Sequence, residues 1–168
     1  MTRSTFLKTT VAAAGLTATA SAAETGGREY VEIRKFTLKS PEKQALLESY
    51  LRDAAIPALN KLGVSEVGVF LPEKPDGNAV VYVLLRHASL ETVAKSADVL
   101  SEAAVQQAGA AYLNVTAEEP VYDRIESWLT RGIGGMPGVK VPPKGSGLYQ
   151  LRIYESHSEQ AGKKKIEM

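Results

Sequence analysis

The chain has 168 residues, 20 Lys+Arg against 19 Asp+Glu, and no cysteine. That length holds one domain, or one domain with additions. A hydrophobic content of 44% is enough for a core and excludes global disorder. A net charge of +1 gives no strong pull toward nucleic acid or an anionic membrane. Without cysteine there are no disulfides, thiolate nucleophiles or cysteine zinc sites. His87 and His157 are the only imidazoles, too few for a multi-histidine metal cage.

Residues 1–23 have the three zones of a secretory signal. Arg3 and Lys8 form a positive start, Val11 to Ala20 a weakly apolar stretch, and Ala20-Ser21-Ala22 and Ser21-Ala22-Ala23 small-residue cleavage patterns. The apolar stretch is too short to span a bilayer, which takes ~20 residues. The chain is therefore expected to be exported, to the periplasm or beyond, with no stable membrane insertion after cleavage. Thr2 to Lys8 resembles a twin-arginine signal in which Ser4 replaces the second Arg. Both export routes stay open.

Residues 24–29 read as a polar linker. Tyr30 to Leu38 alternates as a strand, with Val31 and Ile33 on one face and Glu32, Arg34 and Phe36 on the other. Ser40 is expected to cap a helix with Pro41 at its first position, carried by Leu46, Leu47, Tyr50, Leu51, Ala54, Ala58 and Leu62. Pro57 kinks or splits it, and Gly63 ends it. Val64 to Leu71 and Ala79 to His87 read as strands joined by a turn at Asp76-Gly77. Ser89 caps a helical region from Leu90 to Leu113, broken near Ala97 to Ser101. Val121 to Leu129 is the last strand of this unit. The order β-α-β-β-α-β predicts a ferredoxin-like α+β domain over residues 30–131, with an antiparallel sheet.

Residues 132–147 hold six Gly and three Pro and read as a linker. Leu148-Tyr149-Gln150-Leu151-Arg152-Ile153-Tyr154 then echoes Tyr30-Val31-Glu32-Ile33-Arg34-Lys35-Phe36. Residues 148–168 are accordingly expected to begin a second repeat that stops inside its first helix, so the natural chain would be longer. The alternative is a terminal strand that completes the first sheet.

Tyr30 to Leu38, Tyr122 to Ser127 and above all Leu148 to His157, continued by Lys164 to Met168, resemble the NIPSNAP family of the dimeric α/β-barrel superfamily. The resemblance implies two ferredoxin-like units whose sheets pair into one barrel, across a dimer or between tandem repeats. It implies no particular reaction. Relatives of that barrel include cofactor-independent monooxygenases, haem-handling enzymes and small-ligand binders, and fold does not choose among them.

In such a barrel Val31, Ile33, Ile125 and Leu129 are expected on the helix side. Glu32, Arg34, Phe36, Tyr122, Arg124, Glu126 and Trp128 are expected in the interior, as the candidate ligand site. An Arg there could hold a carboxylate or enolate oxygen, and a buried Glu could take a proton. Equally, Arg34–Glu126 and Arg124–Glu32 could be cross-strand ion pairs that fix register. His87 is expected at an exposed strand end; the sharper readings are a general base or an axial haem ligand. His157 falls in a loop, Tyr82 and Trp128 read as packing aromatics, and Lys163 to Lys165 as a solvated helix face. No phosphate loop, nucleophile elbow or HExxH motif is present, so no cofactor or metal is expected. The expected partners are a second copy or a second repeat, and a small molecule in the barrel; the alternative functions are a cofactor-independent monooxygenase-like or haem-linked enzyme and a purely structural assembly module.

Overall fold

The computed structural model describes residues 27–73, 79–143 and 147–167. The expected signal and the Asp76-Gly77 turn lie outside the described residues. Four strands, β1 (Tyr30–Leu38), β2 (Val67–Phe70), β3 (Val80–His87) and β4 (Tyr122–Arg131), form one sheet in the order β2-β3-β1-β4. Every neighbouring pair is antiparallel. With the helices between β1 and β2 and between β3 and β4, this is the expected ferredoxin-like α+β arrangement.

The first helical region differs in detail from its sequence expectation. α1 (Lys43–Tyr50) starts two residues after Pro41, and no side chain caps it. Ser40 and Pro41 instead form a turn, and their carbonyls accept from the Lys43 and Gln44 amides. A π-helical turn, Leu51–Ala55, leads into α2 (Ile56–Lys61) without a break. Pro57 is the reason. It has no amide to donate, and its ring would crowd the carbonyl four residues back. The wider turn, in which Ile56 N–H donates to Leu51 O, absorbs that conflict. Gly63 ends the region at φ 93°, where a Cβ would be strained.

α3 (Leu90–Leu100) opens with a capping box. The Ser89 hydroxyl accepts from the Thr92 amide, and Thr92 returns the bond to the Ser89 amide. The helix stops at Ser101, and α4 (Ala103–Ala108) and α5 (Ala110–Leu113) follow, separated by Gly109. Gly109 is a close approach: a Cβ there would stand 2.6 Å from Tyr50 Cδ2.

One face of the sheet packs on these helices. Phe36, Leu38, Val81, Val83 and Leu85 lie there against Leu47, Leu51, Ala55, Leu59, Val64 and Tyr112. Each large apolar side chain so buried contributes about 1.5–3 kcal/mol. Register ties the rest of β1 to this parity, because Glu32 pairs with Leu85, Arg34 with Val83 and Phe36 with Val81. Glu32, Arg34 and Phe36 thus face the helices, and Val31 and Ile33 face away, the reverse of the sequence expectation. The physical reason is that β3 and the far half of β1 supply more apolar surface than Glu32 and Arg34 oppose.

Residues 132–139 fold back on the start of β1. Glu29 N–H donates to Pro137 O at 2.8 Å, and the Glu29 carboxylate accepts from Val139 N–H at 2.9 Å. Residues 148–154 pair with no strand among the described residues, so they do not complete the first sheet. The Lys-rich helix α6 (Glu159–Glu167) follows, with no buried residue. No helix among the described residues is long and apolar enough to cross a membrane.

Candidate functional site

The polar groups of the helix face converge at one end of the sheet. Glu32 and Arg34 alternate into that face from β1, and the carboxylate takes two bonds from the guanidinium, from Nε at 2.7 Å and Nη2 at 3.1 Å. Ser127, opposite Arg34 on β4, donates from Oγ to Glu32 Oε1 at 3.3 Å. Burial alone would raise the Glu32 pKa. The hydrogen bond and charge of Arg34, with smaller help from Ser127 and His87, hold it below the usual carboxylate value.

His87 enters from β3. Its ring has no exposed surface, against the expected exposed strand end. The strand parity that buries Leu85 buries His87 too, and α3 packs back on β3 directly after it. Nε2 lies 3.6 Å from Glu32 Oε2, and neither ring nitrogen has a hydrogen-bond partner among the described residues. Burial lowers its pKa, opposed by the Glu32 charge. A haem could not reach this nitrogen unless the helix layer opened.

Three phenols lie further along this face. Tyr50 stacks on Tyr112 with centroids 4.5 Å apart and planes 12° from parallel, and Tyr122 lies 6.4 Å from Tyr112. Burial raises the pKa of Tyr50 and, more strongly, of Tyr112, while the Arg34 charge opposes both shifts. Both phenols stay neutral and can donate. Tyr122 reaches this face through a β-bulge: Thr37 pairs with Arg124 but Leu38 with Tyr122.

The seven residues expected in one interior therefore divide. Glu32, Arg34, Phe36 and Tyr122 share the helix face, whereas Arg124, Glu126 and Trp128 lie on the open face. The expected pairs Arg34–Glu126 and Arg124–Glu32 do not form. Glu126 bonds Lys35 at 3.1 Å and lies 3.6 Å from Arg124 Nε, all on the open face. Ile125 and Leu129 are on the helix face as expected. Sequence reading missed Tyr50, Tyr112 and Ser127. Alternation with Ile125 and Leu129 was the available signal for Ser127; the tyrosines had none beyond helical spacing.

The helices leave β4 uncovered. Ile125 and Leu129, on the core-facing side, remain 40% and 49% exposed. They form an apolar shelf on either side of Ser127, opposite Arg34, whose Nε and Nη2 are engaged by Glu32 and whose Nη1 has no hydrogen bond among the described residues. A guanidinium so oriented is suited to an anionic oxygen. Among the described residues two grooves lie elsewhere, one of about 320 Å³ between α2 and α4 and one of about 1090 Å³ lined by β2, Val139–Pro142 and Gly147–Tyr149, and neither includes Arg34. No group of three metal-ligating side chains occurs among the described residues.

No family model matches this chain, and no curated protein matches it in sequence. Solved structures do. An Agrobacterium tumefaciens protein is 18% identical, with a TM-score of 0.50 over 66% of this chain and 99% of its own. A second structure of that protein, described as a NIPSNAP family protein with unknown function, is 18% identical with a TM-score of 0.47, over 62% of this chain and 87% of its own. Another NIPSNAP family protein of Agrobacterium tumefaciens is 21% identical with a TM-score of 0.49, over 65% of this chain and 97% of its own. The likeness is one of fold.

Proposed function

We propose that this chain, which shares the fold of Agrobacterium NIPSNAP family proteins, binds a small organic anion on the helix face of its sheet. Arg34 holds the anionic oxygen, Glu32 orients Arg34, and Ile125 and Leu129 receive the apolar body. The observation that carries this is a guanidinium fixed by two bonds to Glu32 beside an uncovered apolar shelf. The reading assigns binding, not a reaction.

Calorimetric titration with benzoate and 1-naphthoate tests it. The expected result is tighter binding of the larger arene, and at least tenfold weaker binding by Arg34→Ala with the far-ultraviolet spectrum preserved. Arg34→Ala binding as well as the parent would overturn the reading, as would no binding of either acid at millimolar concentration.

The open face carries half-buried Ile33, Tyr82, Leu84 and Phe70 beside exposed Trp128. This supports pairing of two sheets, in a dimer or with a second repeat. The three-zone leader supports export, and N-terminal sequencing of the protein recovered from a bacterial periplasm, starting at residue 23 or 24, is the check.

A further inference from the structure

No step of the proposed anion binding uses His87, yet its ring is buried beside the residues that do the binding. It has no exposed surface, and neither nitrogen has a hydrogen-bond partner among the described residues. A buried polar group in that condition costs stability and calls for a reason.

The reason lies in how Glu32 is shared. Oε1 accepts from Arg34 Nε at 2.7 Å and from Ser127 Oγ at 3.3 Å. Oε2 accepts the longer Arg34 bond, from Nη2 at 3.1 Å, and stands 3.6 Å from His87 Nε2. That gap is too long for a hydrogen bond. A protonated ring would close it, because a charged N–H bonds a carboxylate at about 2.7–2.9 Å.

The other charges around His87 are engaged or turned away. Tyr30 and Arg131 share its row across the sheet, with the guanidinium 6.0 Å over the Tyr30 ring. Arg86, next on β3, faces the other side and is held by Glu29 and Glu66. On α3, packed against β3, Glu91 pairs with Lys95 at 2.7 Å, and Asp98 is exposed. Glu32 is the carboxylate that attracts a proton to the ring, and Arg34 the cation that opposes it.

We infer that His87 is a positioning residue for Arg34, an inference that rests on Arg34 holding the anion: a proton on the buried ring draws Glu32 Oε2 from Arg34 Nη2, which turns to the anion, so that proton and anion bind together. The sign follows from charge. A cationic ring repels Arg34, and an anion on Arg34 relieves that repulsion. By reciprocity the anion favours the protonated ring as much as the proton favours the anion. Affinity therefore rises as pH falls through the His87 midpoint in the fold, which burial sets below 6.5.

The full chain, without a histidine tag, has two imidazoles, the other being that of exposed His157, so NMR follows the His87 ring directly. Without ligand, the Arg34 Nε–H signal should shift with the same pH midpoint as the ring, and the shift should vanish in His87→Gln. With saturating 1-naphthoate the His87 midpoint should rise by about 0.7 pH unit or more, a coupling of about fivefold. Both midpoints come from the parent chain, so the test stands even where His87→Gln does not fold. An Arg34 signal that ignores the His87 titration overturns the inference. So does a midpoint that bound 1-naphthoate leaves in place, or a chain that unfolds before the ring takes its proton. No binding of 1-naphthoate at any pH would instead sink the anion reading, and this inference with it, even where the ligand-free Arg34 signal follows His87; the two failures are thereby told apart.

Discussion

His87 Nε2 lies 3.6 Å from Glu32 Oε2 across the β1–β3 ladder, in a ring without exposed surface or hydrogen-bond partner among the described residues. Burial keeps the imidazole neutral in the fold by lowering its pKa from the ordinary 6.5. The unfolded chain therefore takes up the proton first, and stability falls as pH drops below about 6.5 until the lowered folded value is reached. The lowered Glu32 pKa acts in the same direction further down, its contribution being present above 4.5 and lost as pH falls through the folded value. Urea unfolding at pH 7.5, 6.5 and 5.5 should show decreasing stability, and His87→Gln should flatten that slope. A parent protein equally stable at all three values would contradict the buried neutral ring.

The two ion-pair groups should differ in weight. Glu32→Ala leaves the Arg34 guanidinium without its partner in a mostly buried setting, and should cost about 2–3 kcal/mol. Glu126→Ala loosens the open-face group of Lys35 and Arg124, and should cost at most about 1 kcal/mol. Urea midpoints of the two variants make the comparison; equal losses would place the Glu32 pair in the weak class.

Gly109→Ala should disturb the tyrosine stack. The added methyl would meet Tyr50 Cδ2 at 2.6 Å, so the ring or the α4–α5 junction must move. Overpacking of this kind costs about 1–3 kcal/mol. Near-ultraviolet circular dichroism should report the loss of the Tyr50–Tyr112 arrangement, and an unchanged spectrum with unchanged stability would show that the junction yields freely.

The uncovered shelf can be probed by truncation. Leu47, with no exposed surface, should lose about 2–5 kcal/mol on change to Ala. Ile125→Ala should lose less than about 1 kcal/mol, because the side chain is already 40% exposed. A large loss at Ile125 would mean that something covers β4 in solution. Repeating the measurement with saturating 1-naphthoate should then enlarge the Ile125→Ala loss if the acid sits on the shelf.

Much of the fold was legible because it rests on local chemistry. Ser89 before Leu90 announced a helix start, and the capping box forms. Gly63 marked a helix end, and its φ is positive. Pro57 predicts a disruption, and the chain answers it with a π-helical turn that no local rule specifies. The site was less legible. Tyr122 and Arg124 are two residues apart and should share a face, yet the bulge between them sends them to opposite faces. A bulge is a property of a strand pair, invisible in either strand alone.

The sequence by itself determined the order of elements in the βαββαβ unit and the parity of β1. Alternation separates Glu32, Arg34 and Phe36 from Val31 and Ile33, since successive side chains leave a strand on opposite sides. It could not determine which side receives the helices. β3 is apolar on both sides, and β1 alone pointed the wrong way through its two charged residues. Only the β1–β3 register decided the matter, by placing Glu32 and Arg34 in line with Leu85 and Val83 on the side where Phe36, Leu38 and Val81 are buried. The summed apolar area of that face outweighs the burial of one carboxylate and one guanidinium, provided each satisfies the other. The same register brings His87 to Glu32 from 55 residues away in sequence.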